Sequence, residues 1–146
     1  MCSASPADEL DGGSKKTYSA PFTVSKVGSH SVKYWSVNGA GTTATAVTTS
    51  FTIAGLPSAL TTPKPGSKFT SKEVKFDWSE AKGATKYALA LGSTGVGSSN
   101  LYSSGEVTGK TVTVKGLPTN GEKIYARLFT YFGTVLVSTD YTYKAK

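Results

Sequence analysis

Any chemistry in this chain must come from one histidine, one cysteine and nine carboxylates spread over 146 residues. His30 sits in Gly28-Ser29-His30-Ser31, at the entrance to an extended segment. General-base catalysis or metal binding requires converging partners. None is close in sequence, so His30 reads as a turn or exposed strand residue. The acids Asp8, Glu9, Asp11, Glu73, Asp77, Glu80, Glu106, Glu122 and Asp140 are dispersed. A glycosidase needs two carboxylates across a rigid cleft, and nothing in this spacing suggests one. Asp8, Glu9 and Asp11 lack the glycine-and-acid loop of a calcium site and read as a solvated tail. No nucleophile elbow, phosphate-binding loop or dinucleotide fingerprint is present. A single cysteine, Cys2, rules out an internal disulfide and a cysteine metal cluster. Its position fits a trimmed chain or a lipid-anchored mature end. The expectation is a protein without enzymatic activity, metal or cofactor.

A different set of residues is suited to binding. In Lys123–Phe132, two-residue alternation sends Ile124, Ala126 and Leu128 to one face and Tyr125, Arg127, Phe129 and Tyr131 to the other. A following antiparallel strand is expected to add Tyr141 and Tyr143. The result would be an aromatic and cationic stripe able to stack on sugar rings or on a partner protein. Core or interface packing competes with this expectation, since the parity that builds the stripe excludes Tyr125 from the core.

Strands must position these side chains. Ser and Thr make up roughly a quarter of the chain, well above ordinary usage. Their chemistry suits half-buried strands and polar turns. No window carries the i, i+3, i+4, i+7 pattern of an amphipathic helix, so the fold class is all-β. Residues 1–15 are polar and rich in Gly and Ser, and read as a flexible N-terminal tail. Residues 16–55 hold about three strands. The first alternates Tyr18, Ala20, Phe22 and Val24, with Pro21 suggesting an edge. The second runs from Ser29 to Val37 and ends at the turn Asn38-Gly39-Ala40-Gly41. The third alternates Val47, Thr49, Phe51 and Ile53.

Seven strands follow in residues 57–146, with turn residues at regular intervals, the pattern of a β-sandwich. Val74, Phe76 and Trp78 share one face, and Tyr87, Leu89 and Leu91 another. Trp78, Phe76, Tyr87, Leu89 and Leu117 are the expected core.

The motifs Val74–Trp78 (VKFDW), Tyr87–Leu91 (YALAL) and Gly116–Leu128 (GLPTNGEKIYARL) resemble a bacterial fibronectin type III-like domain. That resemblance covers residues 57–146. It implies a sandwich with Trp78 at its centre and, after the Leu117-Pro118 turn, Tyr125 as a corner tyrosine bonding back to main chain. Leu117 precedes Tyr125 by eight residues, longer than the usual corner. Residues 16–53 resemble the C-terminal half of another bacterial Ig-like repeat, through the run YSAPFTVSKVGSHSVKYWSVNGAG. Asn38 stands where an aspartate is typical, and Thr42 where an asparagine is typical. Such repeats are structural or adhesive spacers of secreted and surface proteins. An extracellular or cell-surface location is therefore implied, with the targeting segment removed.

Three strands in about forty residues are too few to fold unaided. Tyr18, Phe22, Val32, Tyr34, Val47, Phe51 and Ile53 need a second layer. Candidates are the fibronectin-like domain, another copy of the chain, or a partner that donates strands; alternatively, further strands lie upstream. The net charge of +7 favours polyanionic partners. However, the lysines are scattered and Arg127 is the single arginine, unlike a specific nucleic-acid reader. No apolar run is long enough to span a membrane. The expected partners are other protein chains or copies of this one, as in a surface assembly or filament built by strand complementation. Polysaccharide or another polyanion is the alternative.

Overall fold

The computed structural model describes residues 5–146, all in strands, turns and loops, with no helix among them. The chain divides into two compact units after Ile53.

The N-terminal unit is one antiparallel sheet. Its strands are β1 (Ser5–Leu10), β2 (Lys16–Thr17), β3 (Gly28–Val37) and β4 (Val47–Ile53), in the spatial order β2-β1-β3-β4. This corrects two expectations. Residues 5–10 are not tail but an interior strand, paired with β3 from Ser5↔Val37 to Leu10↔Val32. The expected strand from Tyr18 to Val24 does not form: those residues are loop, and the two-residue strand Lys16–Thr17 lies just before them, because β1 occupies the place beside β3 and Pro21 has no N–H to offer a ladder. Pro6 is tolerated in β1 where β2 runs out: only its carbonyl is needed there, accepting the Tyr18 N–H at 2.9 Å. Residues 1–4, with Cys2, lie outside the described residues.

β3 is secured at both ends. At its start, Asp11 accepts the Ser31 N–H at 2.7 Å and donates its own N–H to the Ser31 carbonyl at 2.9 Å. At its end, the Asn38 side chain accepts the N–H groups of Ala40 and Thr42 at 3.0 and 2.8 Å, closing the turn into β4. Among residues 6–53 only Ala7 and His30 are buried.

The C-terminal unit is a two-layer sandwich. One sheet joins β5 (Leu60–Thr62), β6 (Val74–Trp78) and β9 (Thr111–Val114). The other is ordered β11-β10-β7-β8, from β7 (Lys86–Gly92), β8 (Tyr102–Ser103), β10 (Lys123–Phe132) and β11 (Val135–Lys144). Aromatic contacts hold the layers together. Trp78 on β6 lies 6.0 Å from Tyr87 on β7, centroid to centroid, and Phe76 meets Tyr143 of β11 edge-on at 5.8 Å. Phe76, Leu89, Leu91, Ile124 and Leu128 are wholly buried around them.

Polar bonds fasten the entry to this sandwich. Ser58 is buried; its N–H donates to the Thr130 hydroxyl at 3.0 Å and its hydroxyl donates to the Ser79 carbonyl. One residue thereby touches β10 and the exit of β6. Thr130→Val keeps the side-chain shape but leaves a buried N–H unpaired, at a cost of about 1–3 kcal/mol. In a Trp35→Phe background, denaturant unfolding followed by Trp78 fluorescence should show the midpoint fall accordingly. An unchanged midpoint would mean the bond contributes nothing.

Candidate functional site

β10 alternates strictly between a buried face (Ile124, Ala126, Leu128, Thr130, Phe132) and a half-buried outer face (Tyr125, Arg127, Phe129, Tyr131). On β7 the ladder sets Gly92, Ala90 and Ala88 beside Tyr125, Arg127 and Phe129. Small neighbours let long β10 side chains lie flat, which accounts for the burial of the outward-facing Ala88 and Ala90. On β11, Arg127 faces Asp140. The guanidinium grips that carboxylate with two bonds, Nε at 2.7 Å and Nη2 at 2.9 Å. This fork holds the Asp140 carboxyl below its ordinary pKa and raises that of Arg127. Gly97, in the loop after β7, lies against the same side chain; a Cβ there would come within 2.8 Å of Nη1. Arg127 is thus committed to its own fold.

The expected six-residue stripe is divided by register. Gly133 and Thr134 form a two-residue hairpin turn, with Gly133 at φ 63°, so odd-numbered residues of β10 face even-numbered residues of β11. Tyr141 and Tyr143 therefore fall on the inner face, opposite Ala126 and Ile124. The Tyr141 hydroxyl accepts the Leu60 N–H at 3.1 Å. Tyr143 stacks on Phe69 at 5.1 Å and donates its hydroxyl to the Pro63 carbonyl at 3.0 Å; burial raises its phenol above the ordinary pKa. The inward-corner role for Tyr125 is corrected too. Tyr125 points outward beside Lys123, whose Nζ lies 5.7 Å from its ring. Leu117, Trp78, Phe76, Tyr87 and Leu89 are all buried.

The larger uncovered surface is on the N-terminal sheet. Register places Leu10, Val32, Tyr34, Val47, Phe51 and Ile53 on one face, joined by Tyr18. Tyr34 and Val47 are each nearly half exposed, and Tyr18, Phe22 and Phe51 are exposed as well. Pro6, Tyr18, Phe22, Val32 and Tyr34 line an open apolar groove of about 290 Å³. On the opposite face Trp35 lies beside Ala7, with the ammonium groups of Lys15 and Lys33 at 5.3 and 5.9 Å from its ring.

No protein-family model and no curated protein matches this sequence.

His30 is buried rather than exposed, tucked against Phe51 with ring centroids 5.4 Å apart. Nδ1 meets the Asp11 carboxylate at 2.7 Å and Nε2 meets the Lys26 carbonyl at 2.6 Å. Both neighbours are acceptors, so the ring satisfies them only as the doubly protonated imidazolium. Neither nitrogen is left to act as a base or to hold a metal. No cluster of three potential metal ligands exists among the described residues. No helix there is long and apolar enough to cross a membrane. Nothing in the sequence signals the His30–Asp11 pair directly beyond the turn chemistry of Asp11-Gly12-Gly13, because the two lie nineteen positions apart.

The Asp11 bond, then the Lys26 carbonyl, raise the pKa of His30; the His30 bond, then the Ser31 N–H, lower that of Asp11. The histidine contribution is therefore full below its unfolded pKa of about 6.5 and fades as pH rises through the higher folded value. The aspartate contribution holds above about 3.9 and fades as pH falls through its depressed value. His30 is the sole histidine, so its ring resonance titrates alone in an NMR experiment. Its midpoint should lie above about 6.5 and drop in Asp11→Asn; a midpoint at or below that value in the native chain contradicts the bonded imidazolium.

Proposed function

We propose that this chain is a non-enzymatic interaction module of an extracellular bacterial protein, a fibronectin type III-like sandwich joined to a sheet that another polypeptide completes. The observation that carries the proposal is the N-terminal sheet face, on which Tyr18, Tyr34, Val47 and Phe51 stand exposed. A sheet with one apolar face gains stability only under a second layer. The three-plus-four strand arrangement of the C-terminal unit supports the fibronectin-like part of the reading, and the extracellular location rests on that resemblance. The non-enzymatic part is supported by how the ionisable groups are occupied. Both His30 nitrogens are engaged, and Glu73, Asp77, Glu80, Glu106 and Asp140 each pair with a lysine or Arg127.

Photo-crosslinking tests the module directly. With p-benzoylphenylalanine in place of Tyr34, the purified chain or its native secretion medium should yield adducts to a second polypeptide, mapped by mass spectrometry to the apolar face. Crosslinks confined to residues of the same molecule would overturn the proposal.

Carbohydrate binding is a second reading, favoured by Tyr125, Phe129 and Tyr131 lying along one outer face. Its weakness is that Arg127 is already bound to Asp140. Glycan-array and heparin retention at low salt should then depend on Phe129, and retention unchanged in Phe129→Ala would remove this reading.

A further inference from the structure

Sheet edges carry unpaired backbone N–H and C=O groups, and proteins usually shorten, charge or cover them. Among the described residues, five of the six edges are treated in that way. β2 has two residues, including Lys16; β8 has two; β5 has three and runs into Pro63. β9 is four residues long between Lys110 and Lys115. β11 carries Asp140 and Lys144, and its outer edge bonds to Gly66, Ser67 and Phe69. β4 is different. Val-Thr-Thr-Ser-Phe-Thr-Ile is seven residues long, exposed along almost its whole length, and free of charge, proline and glycine. It pairs with β3 on one side and with no described residue on the other.

We propose that the free edge of β4 is a docking strand for a second copy of this chain, paired antiparallel about a two-fold axis through Ser50. The proposal deepens the interaction-module reading and rests on it, naming a partner at the edge of the sheet rather than on its face.

Two observations select a copy of the same chain. The first is self-complementarity. In this register Val47 meets Ile53 of the second copy, Thr49 meets Phe51, Thr48 meets Thr52 and Ser50 meets itself. The odd-numbered residues are those on the apolar face and the even-numbered ones are polar, so both faces keep their character across the junction. Aromatic–β-branched and Thr–Thr or Ser–Ser pairs are favourable cross-strand neighbours. A two-fold arrangement also closes on itself instead of propagating. The second observation is charge. Each copy carries +7, so copies repel over most of their surface. From Tyr34 to Pro63 the chain has no charged residue, a run of 30 positions with β4 near its middle. The strand at the junction therefore brings no charge of its own, the nearest being Lys33 and the Asp11-paired His30 on β3, opposite Thr48 and Phe51. Pairing would join two four-stranded sheets into one of eight and double the apolar face.

Engineered cysteines in a Cys2→Ser background read the register. Residues opposed across an antiparallel pair lie within disulfide reach. Two Ser50→Cys chains should therefore crosslink on mild oxidation. Two Thr48→Cys chains should not, because each faces Thr52 and the two sulfurs are roughly 14 Å apart. Light scattering should find a dimer of the Cys2→Ser chain that is lost in Ser50→Lys, which sets two ammonium groups on the axis. Ser50 is exposed on the polar side of the sheet, so this change leaves the Tyr34 face intact. Equal crosslinking of the Thr48→Cys and Ser50→Cys chains, a dimer indifferent to Ser50→Lys, or a monomer at every concentration would each overturn the pairing. If Tyr34 adducts to another polypeptide persist in that case, the module stands with a different partner. Loss of those adducts beside an intact disulfide-linked Ser50→Cys dimer would sink the module reading and keep the edge contact.

Discussion

A strand that alternates apolar and polar side chains makes a sheet with one face that water does not stabilise, and that face must find a second layer. The C-terminal unit meets this requirement internally. Its two sheets are tied by Trp78 against Tyr87 and by Phe76 against Tyr143, with wholly buried leucines and Ile124 filling the space between. The N-terminal unit has the same alternation in Val47–Ile53, and its apolar side chains remain exposed. The contrast lies in the number of layers, since strand chemistry is alike in both units.

Much of this fold was legible because two-residue periodicity is a local property. Val47, Thr49, Phe51 and Ile53, like Val74, Phe76 and Trp78, declare both strand and face within a few residues. Pairing partners are not local. Ser-Pro-Ala-Asp-Glu-Leu has no alternation and weak strand propensity; it is a strand because β3, more than twenty residues away, offers it a six-residue ladder. The faces of Tyr141 and Tyr143 depended on a subtler quantity, the number of residues in one turn. Reading Gly133 alone as the turn puts both tyrosines beside Arg127. The actual turn uses Gly133 and Thr134, and the extra residue moves the whole of β11 by one step. Of the candidate stripe, the β10 half could be read from one strand's alternation and the β11 half could not.

Electrostatics shaped the surface more than the site. Pairs such as Lys86–Glu106 and Lys110–Glu80 are exposed at both partners, so solvent screening leaves them little weight in stability. Lys110 and Lys115 flank the edge strand β9, and Asp140 and Lys144 lie on β11, whereas the edge strand β4 carries no charge.

A single-layer sheet with little buried apolar area must hold its register by other means. Here that role falls to polar side chains bonded to backbone at the two ends of β3. Asp11 fixes Ser31 and orients His30, whose second nitrogen reaches the Lys26 carbonyl ahead of the strand. Asn38 collects two N–H groups of the turn into β4. Each bond is short-range and directional, so together they fix where β1 and β4 lie against β3 without covering either face. The consequence is a sheet whose register is set before anything packs on it. Any polypeptide binding the apolar face, or the edge of β4, would meet a surface already ordered, so this chain would give up less conformational entropy in binding than a loose hairpin would.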